Sequence, residues 1–367
     1  MPESILDFAR PAVRALTPYK GGKSKAEAGR EQGLADYIKL ASNECPYPTS
    51  LAVRRAIAVH ALEINLYPDG NCRDLKQLLA DRHRVSVEQI TLGNGSSELL
   101  EMLVLAFADS ARGDELLTTR HAFLVYKLLA MTHGLGYREA PLDGWAADLA
   151  QLAQMVGSST RLVCLANPAN PTGAVVDNSA LHAFIRDLPA HTLMLLDQAY
   201  ADFYPHSDEA LDWLHEHPNL VLTRTFSKAI GLAGLRIGYS ISSPEIANLL
   251  NRVRQPFNVN SLAQAAAIAA LQDQQTLART IENNTRYRER LRSLCEELDI
   301  ACLPSEANFL TLDLGGAERA DALESALMRK GVIVRGLANY AMPAMLRVSI
   351  GTPEQMERLF AALSACA

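Results

Sequence analysis

The run Leu162-Val163-Cys164-Leu165-Ala166 is apolar at five consecutive positions and leaves no side of a strand for water. A strand of that kind belongs inside a parallel sheet with helices over both faces. Leu193-Met194-Leu195-Leu196 and Leu220-Val221-Leu222 repeat it, Ile90-Thr91-Leu92 and Glu115-Leu116-Leu117 are shorter versions, and helical patterns lie between them. The chain therefore reads as α/β. Open sheets of this class hold ligands beyond the carboxyl ends of their strands, so the residues after each apolar run are where chemistry is expected.

The richest of these ends is Thr225-Phe226-Ser227-Lys228-Ala229-Ile230-Gly231-Leu232-Ala233-Gly234-Leu235-Arg236. Its glycines let backbone approach a ligand, Arg236 adds a fixed cation, and the hydroxyls of Thr225 and Ser227 suit a phosphate. An amine held there can form a Schiff base. The plain alternative is a solvated loop lysine among turn glycines, and from this stretch alone either reading stands. The segment resembles the lysine motif of fold type I pyridoxal-phosphate aminotransferases, Ser-Phe-Ser-Lys-x-x-Gly-Leu-x-Gly-x-Arg, with Thr225 in place of the first serine. The resemblance implies that Lys228 is the Schiff-base lysine and Arg236 a ligand of the cofactor phosphate.

Other strand ends extend the resemblance. Gly93-Asn94-Gly95-Ser96-Ser97 opens an amphipathic helix, whose free amides and dipole suit a phosphate, although many such starts bind nothing. After Glu115–Leu117 comes His121-Ala122-Phe123, and the family's aromatic at the third position, stacked on the pyridine ring, implies that role for Phe123. Asn167-Pro168-Ala169-Asn170-Pro171-Thr172-Gly173 is ordinary turn chemistry by composition, yet it is similar to the family's Asn-Pro-x-Asn-Pro-Thr-Gly. Asn170 then matches the donor to the cofactor's phenolic oxygen. Asp197 closes an apolar strand, where a carboxylate needs a cation or donors. The resemblance supplies the pyridine nitrogen as its partner and places Tyr200 three residues later, while Gln198 replaces the usual Glu.

The N-terminal region is expected to be an irregular arm. Pro18-Tyr19-Lys20-Gly21-Gly22-Lys23 resembles the Pro-Tyr-x-Pro-Gly-Lys start of the histidinol-phosphate branch of the family, with Gly21 for the second proline. Leu40-Ala41-Ser42-Asn43-Glu44-Cys45-Pro46 resembles Leu-x-x-Asn-Glu-Asn-Pro, with Cys45 for the second Asn. By that match Tyr19 and Asn43 border the substrate. Tyr67, in Leu66-Tyr67-Pro68-Asp69-Gly70, matches a tyrosine that reaches the neighbouring subunit's cofactor phosphate, which implies a homodimer with shared sites. Leu346-Arg347-Val348-Ser349-Ile350-Gly351-Thr352 resembles Leu-Arg-x-x-x-Gly-Thr, and Arg335 sits where the histidinol-phosphate branch has a second arginine. Both are expected to grip the substrate's anionic group.

At 367 residues the chain is too long for one ordinary core. The expected division is an arm over 1–45 that joins the small domain, a large cofactor-binding domain over 46–254 and a small α/β domain over 255–367, with Ser261 capping an alanine-rich helix at the start of the last. The resemblance implies a mostly parallel seven-stranded sheet in the large domain. Six cysteines without a Cys-x-x-Cys pair read as reduced thiols and offer no metal site. A net charge of −6 argues against nucleic acid or an anionic membrane as the main partner, and a cytoplasmic location is the default expectation.

The resemblance covers nearly the whole chain. It implies pyridoxal 5′-phosphate as cofactor and a small-molecule amino donor with a 2-oxo acid as substrates, best matched by histidinol phosphate and 2-oxoglutarate. Aromatic amino-acid transamination and decarboxylation of a phosphorylated threonine share the frame. A pyridoxal-phosphate-sensing transcription factor would need a further DNA-binding domain.

Overall fold

The computed structural model describes residues 4–16 and 36–366. Its main sheet has seven strands in the order 90–93, 238–241, 220–225, 193–197, 160–166, 115–119, 136–140. Every pairing is parallel except those of Gly238–Ile241, which runs antiparallel to both neighbours. Along the apolar strands alternate residues enter different cores. Leu117, Val163, Leu165, Met194, Leu196 and Leu222 belong to one, and Leu116, Leu162, Cys164, Leu195 and Val221 to the other. Period-two geometry with both faces covered requires that division, which is why these strands carry no polar alternation.

A second sheet of four antiparallel strands, in the order 301–302, 309–313, 342–349, 335–337, lies towards the C-terminus. Helices Gln274–Glu297, Ala317–Arg329 and Pro353–Ser364 cover its core through Tyr287, Leu291, Leu323, Leu327, Met356 and Leu359. The apolar stretch before Arg335 is two strands rather than one. Val332–Ile333 pairs in parallel with Ile38–Lys39, so the segment before Asn43 is tied to this second unit, while Arg335–Leu337 joins the four-stranded sheet.

Two local expectations change. The alanine-rich helix Ser261–Gln272 is capped by Asn260, whose side chain accepts from the Ala263 N–H, and not by Ser261. It also packs on the first of the main sheet's two cores rather than on the core of the four-stranded sheet, through Ala263, Ala266, Ala267 and Leu271. Small side chains let it lie close against helix Leu51–His60. Among the described residues no helix is long and apolar enough to cross a membrane.

Candidate active site

Lys228 lies three residues past the end of strand Leu220–Thr225, so a central strand sets where its side chain starts. Its Nζ lies 3.4 Å from the Ser42 carbonyl oxygen and 5.7 Å from the centre of the Tyr200 ring. Burial brings its pKa down to about 8, and the positive charges of Arg347 and Arg236 act the same way, against Glu44 and Asp197. An amine there is partly unprotonated near neutrality.

Asp197 ends the adjacent strand and is 3% exposed. One carboxylate oxygen accepts from the Tyr126 hydroxyl at 3.0 Å and the other from the Ala199 N–H at 3.1 Å. Burial still raises its pKa, so these donors and the nearby Lys228 offset desolvation only in part. A carboxylate held in this state favours a further cationic partner. Tyr126, itself buried and held strongly in its protonated form, escaped the sequence reading. The signal was its place three residues after Phe123 on one helix face. The two rings meet edge to face with centroids 5.8 Å apart, and Phe123 lines a cavity together with Asn170.

Tyr200 is buried, which pushes its hydroxyl to about 12, and its oxygen accepts from the Asn43 side-chain amide at 2.9 Å. Asn43 is fixed from several sides. Its N–H donates to Ser349 Oγ at 2.8 Å, Ser349 Oγ donates to its Oδ1 at 2.9 Å, and Asn308 donates to its carbonyl at 3.0 Å. Such bonding holds it at φ 54°, a conformation Asn tolerates better than most residues. Ser349 and Asn308 are thus further supports that the motifs alone did not single out.

Arg347 is buried on strand Met342–Ser349 and crosses to the first unit, donating to Asn170 Oδ1 and, at 3.1 Å, to the Ala41 carbonyl. Its Nε is buried without a partner among the described residues, a donor left for something else. Arg335 stands in register directly opposite Arg347 on the antiparallel neighbour, so both guanidiniums rise from one face of the sheet.

Gly95, Ser96, Ser97, Thr225, Ser227 and Arg236 converge beside this cluster. Helix Ser96–Phe107 begins at Gly95 with no side-chain cap on its first amides. A Cβ on Gly95 would lie 2.4 Å from Arg236 Nη2, and one on Gly238 would lie 2.7 Å from the Ser96 nitrogen. Glycine is required at 238 by the approach of backbone and at 95 by its φ of 80°, and both border one cradle of N–H groups. Arg236 donates to Ser227 Oγ at 3.3 Å, and Thr225 Oγ1 accepts from the Ser227 N–H at 3.1 Å. Uncapped helix amides, hydroxyls and a guanidinium form a donor set that fits a phosphate. The raised Asp197 carboxyl and the lysine suit the pyridine nitrogen and aldehyde of the same molecule.

The two departures from the family pattern have local explanations. Gln198 accepts from Arg224 Nε at 3.0 Å and donates to the Ser207 carbonyl at 2.7 Å, the second of which a carboxylate cannot do. Cys45 packs its Cβ 3.3 Å from where a Cβ of Gly231 would be, and burial pushes its thiol up, so it fills space as an unreactive group. Tyr67 stands outside the cluster, 83% exposed, with its ring stacked on Phe257 at 4.6 Å. Tyr19 lies outside the described residues.

A profile of aminotransferase class I and II matches residues 35–363, a span that contains every described member of this site. The chain belongs to that family. This aminotransferase is 42% identical over 362 residues to histidinol-phosphate aminotransferase 1 of Mannheimia succiniciproducens, covering 98% of each chain. It is 44% identical over 364 residues to histidinol-phosphate aminotransferase 2 of Pseudomonas aeruginosa, covering 98% of this chain and 97% of the other. Among solved structures, histidinol-phosphate aminotransferase from Sinorhizobium meliloti in complex with pyridoxal-5′-phosphate is similar with a TM-score of 0.89 and 32% identity, over 97% and 96% of the two chains. Aspartate aminotransferase from Thermus thermophilus, 21% identical with a TM-score of 0.81, shares the fold of this aminotransferase over 98% of this chain and 99% of its own.

Proposed function

We propose that this aminotransferase uses pyridoxal 5′-phosphate to move the amino group of histidinol phosphate to 2-oxoglutarate. The observation that carries the chemistry is Asp197, buried with a raised pKa among donors too few to offset its desolvation, on the strand beside Lys228. When bound, the cofactor supplies a conjugated pyridine ring that takes up the electron pair freed at the substrate carbon. Asp197 holds the proton at the ring nitrogen. Lys228, whose amine has a pKa of about 8 in the cofactor-free chain, would take the proton from the substrate carbon. Tyr200 and Asn170 bind the phenolic oxygen. Arg347 occupies the Asn170 oxygen, which fixes that amide with its nitrogen as the donor. Gly95, Ser96, Ser97, Thr225, Ser227 and Arg236 hold the phosphate, and Phe123 packs on the ring.

Substrate choice rests on the arginine pair. One pocket must accept a phosphate in one half-reaction and carboxylates in the other, and guanidinium suits both. Arg335→Ala is expected to slow the half-reaction with histidinol phosphate by about tenfold or more, the loss of a charge-assisted bond of roughly 1.5–3 kcal/mol, and to affect glutamate less. Arg347→Ala should damage both halves, because it also releases Asn170 and Ala41. Stopped-flow absorbance resolves the two. Equal losses for both substrates in Arg335→Ala, or a wild type that prefers phenylalanine to histidinol phosphate, would move the enzyme to aromatic amino acids.

We further infer a homodimer in which Tyr67 of one subunit serves the other's phosphate site. Its exposure, with the ring stacked on Phe257, supports this reading. Mixing Lys228→Ala with Tyr67→Phe protein should form hybrids holding one site free of both changes, with activity above that of Tyr67→Phe alone. No gain after verified subunit exchange would place Tyr67 within its own chain's site.

A further inference from the structure

Helix Asn178–Arg186 and the segment after helix Ala210–Trp213 bring His182, Glu216 and His217 together, apart from the residues around Lys228. The Nε2 atoms of His182 and His217 face each other at 3.0 Å, and His182 Nε2 lies 3.6 Å from Glu216 Oε2. All three ligand atoms fall within 4.8 Å of one another. A tetrahedral zinc-type ion with bonds of about 2.0–2.1 Å spaces neighbouring ligand atoms by about 3.3 Å. That spacing lies between the two short separations. Two imidazole nitrogens aimed at each other need either one proton between them or a shared cation.

The site is held from behind. The His182 ring stacks on Trp213 with centroids 4.8 Å apart and planes at 3°, while Leu181, Ile185, Trp213 and Leu214 are rooted in the first core. Outward, the Glu216 side chain is 63% exposed, which leaves room for water as a fourth ligand. Two nitrogens and one carboxylate suit zinc and its neighbours, whereas calcium and magnesium require mostly oxygen. Thirty-three residues lie between His182 and Glu216, so no motif spacing announces the group.

We propose that His182, Glu216 and His217 form a binding site for a divalent transition metal of the zinc type, clipping helix Asn178–Arg186 to the segment at 216–217. Because the clip exists only in the folded chain, the ion raises thermal stability. The test uses the full chain, stripped with chelator and then titrated with Co2+, which reports tetrahedral coordination by a visible band, followed by Zn2+ in competition. One Co2+ per chain is expected, displaced by Zn2+, with Trp213 fluorescence quenched by Co2+ and the melting temperature raised by Zn2+. His182→Gln and His217→Gln should abolish the band. Glu216→Gln, on an exposed side chain that does not threaten folding, should weaken binding by about tenfold or more. The proposal is overturned if the wild type binds no stoichiometric Co2+, or if Glu216→Gln binds it with unchanged affinity and quenching.

Discussion

Replacing Lys228 by alanine is expected to slow both half-reactions by about 10⁴-fold, the upper range for losing a positioned proton acceptor. The site around it argues for so large an effect. Ser42 and Tyr200 lie beside the amine, and neither is a base near neutrality: one offers a carbonyl, the other a hydroxyl pushed to about 12. Single-turnover absorbance of the variant with added cofactor measures the loss, and small amines supplied in solution should recover part of the rate. A loss below tenfold would remove Lys228 from the proton-transfer role. In the wild type, borohydride reduction followed by peptide mapping should find the pyridoxyl group on Lys228. The pKa carries its own consequence, since the amine reacts only when unprotonated. Uptake of pyridoxal phosphate by the cofactor-free chain should therefore accelerate as pH rises through about 8.

Asp197→Asn is expected to slow the same steps by about 10²–10³-fold, comparable to removing one preorganised electrostatic group from other active sites. Asparagine keeps the shape and an acceptor for Tyr126 or Ala199, but cannot hold a proton on the ring nitrogen. The sign of the stability effect separates this role from a structural one. Burial raises the Asp197 pKa in the folded chain, so its contribution is present at low pH and is lost as pH rises through that pKa. At neutral pH the cofactor-free variant should thus be at least as stable as the wild type, while binding the cofactor more weakly. Near-normal single-turnover rates would end this assignment. A large drop in stability of the cofactor-free variant would instead make Asp197 a structural residue.

How far the sequence reached depended on which physical signal a residue leaves. The inner strands were readable because burial on both faces writes an unbroken apolar run, as at Leu162–Ala166. Gly136–Ala140 was not, since it is an edge strand with one neighbour and mostly exposed side chains. The lysine, the Asn-Pro turn and Asp197 lie at strand ends and stood out with their neighbours. What could not be read are contacts between distant parts of the chain. Arg347 and Asn170 are 177 residues apart, and Asn43 and Ser349 are 306 apart; only the folded chain brings each pair together. Helix Ser261–Gln272 misled for a related reason, because alanines on every side give little indication of which core they will meet.

The single reversed strand of the main sheet has a consequence for how the protein is born. Among the described residues Ile90–Gly93, at the sheet's margin, has only Gly238–Ile241 beside it, so its ladder waits for roughly 145 further residues to leave the ribosome, on the order of 7–30 s at ordinary rates of synthesis. Gly238–Ile241 must in turn slot between that margin and Leu220–Thr225, and the connection that delivers it is the stretch holding Lys228 and Arg236. The last strand of the sheet to be made is thus the one whose connection carries the lysine and the guanidinium and whose Gly238 lies against the Ser96 amide. A nascent chain stopped short of it carries most of the main sheet's two cores but lacks Gly238, against which the Ser96 amide is packed.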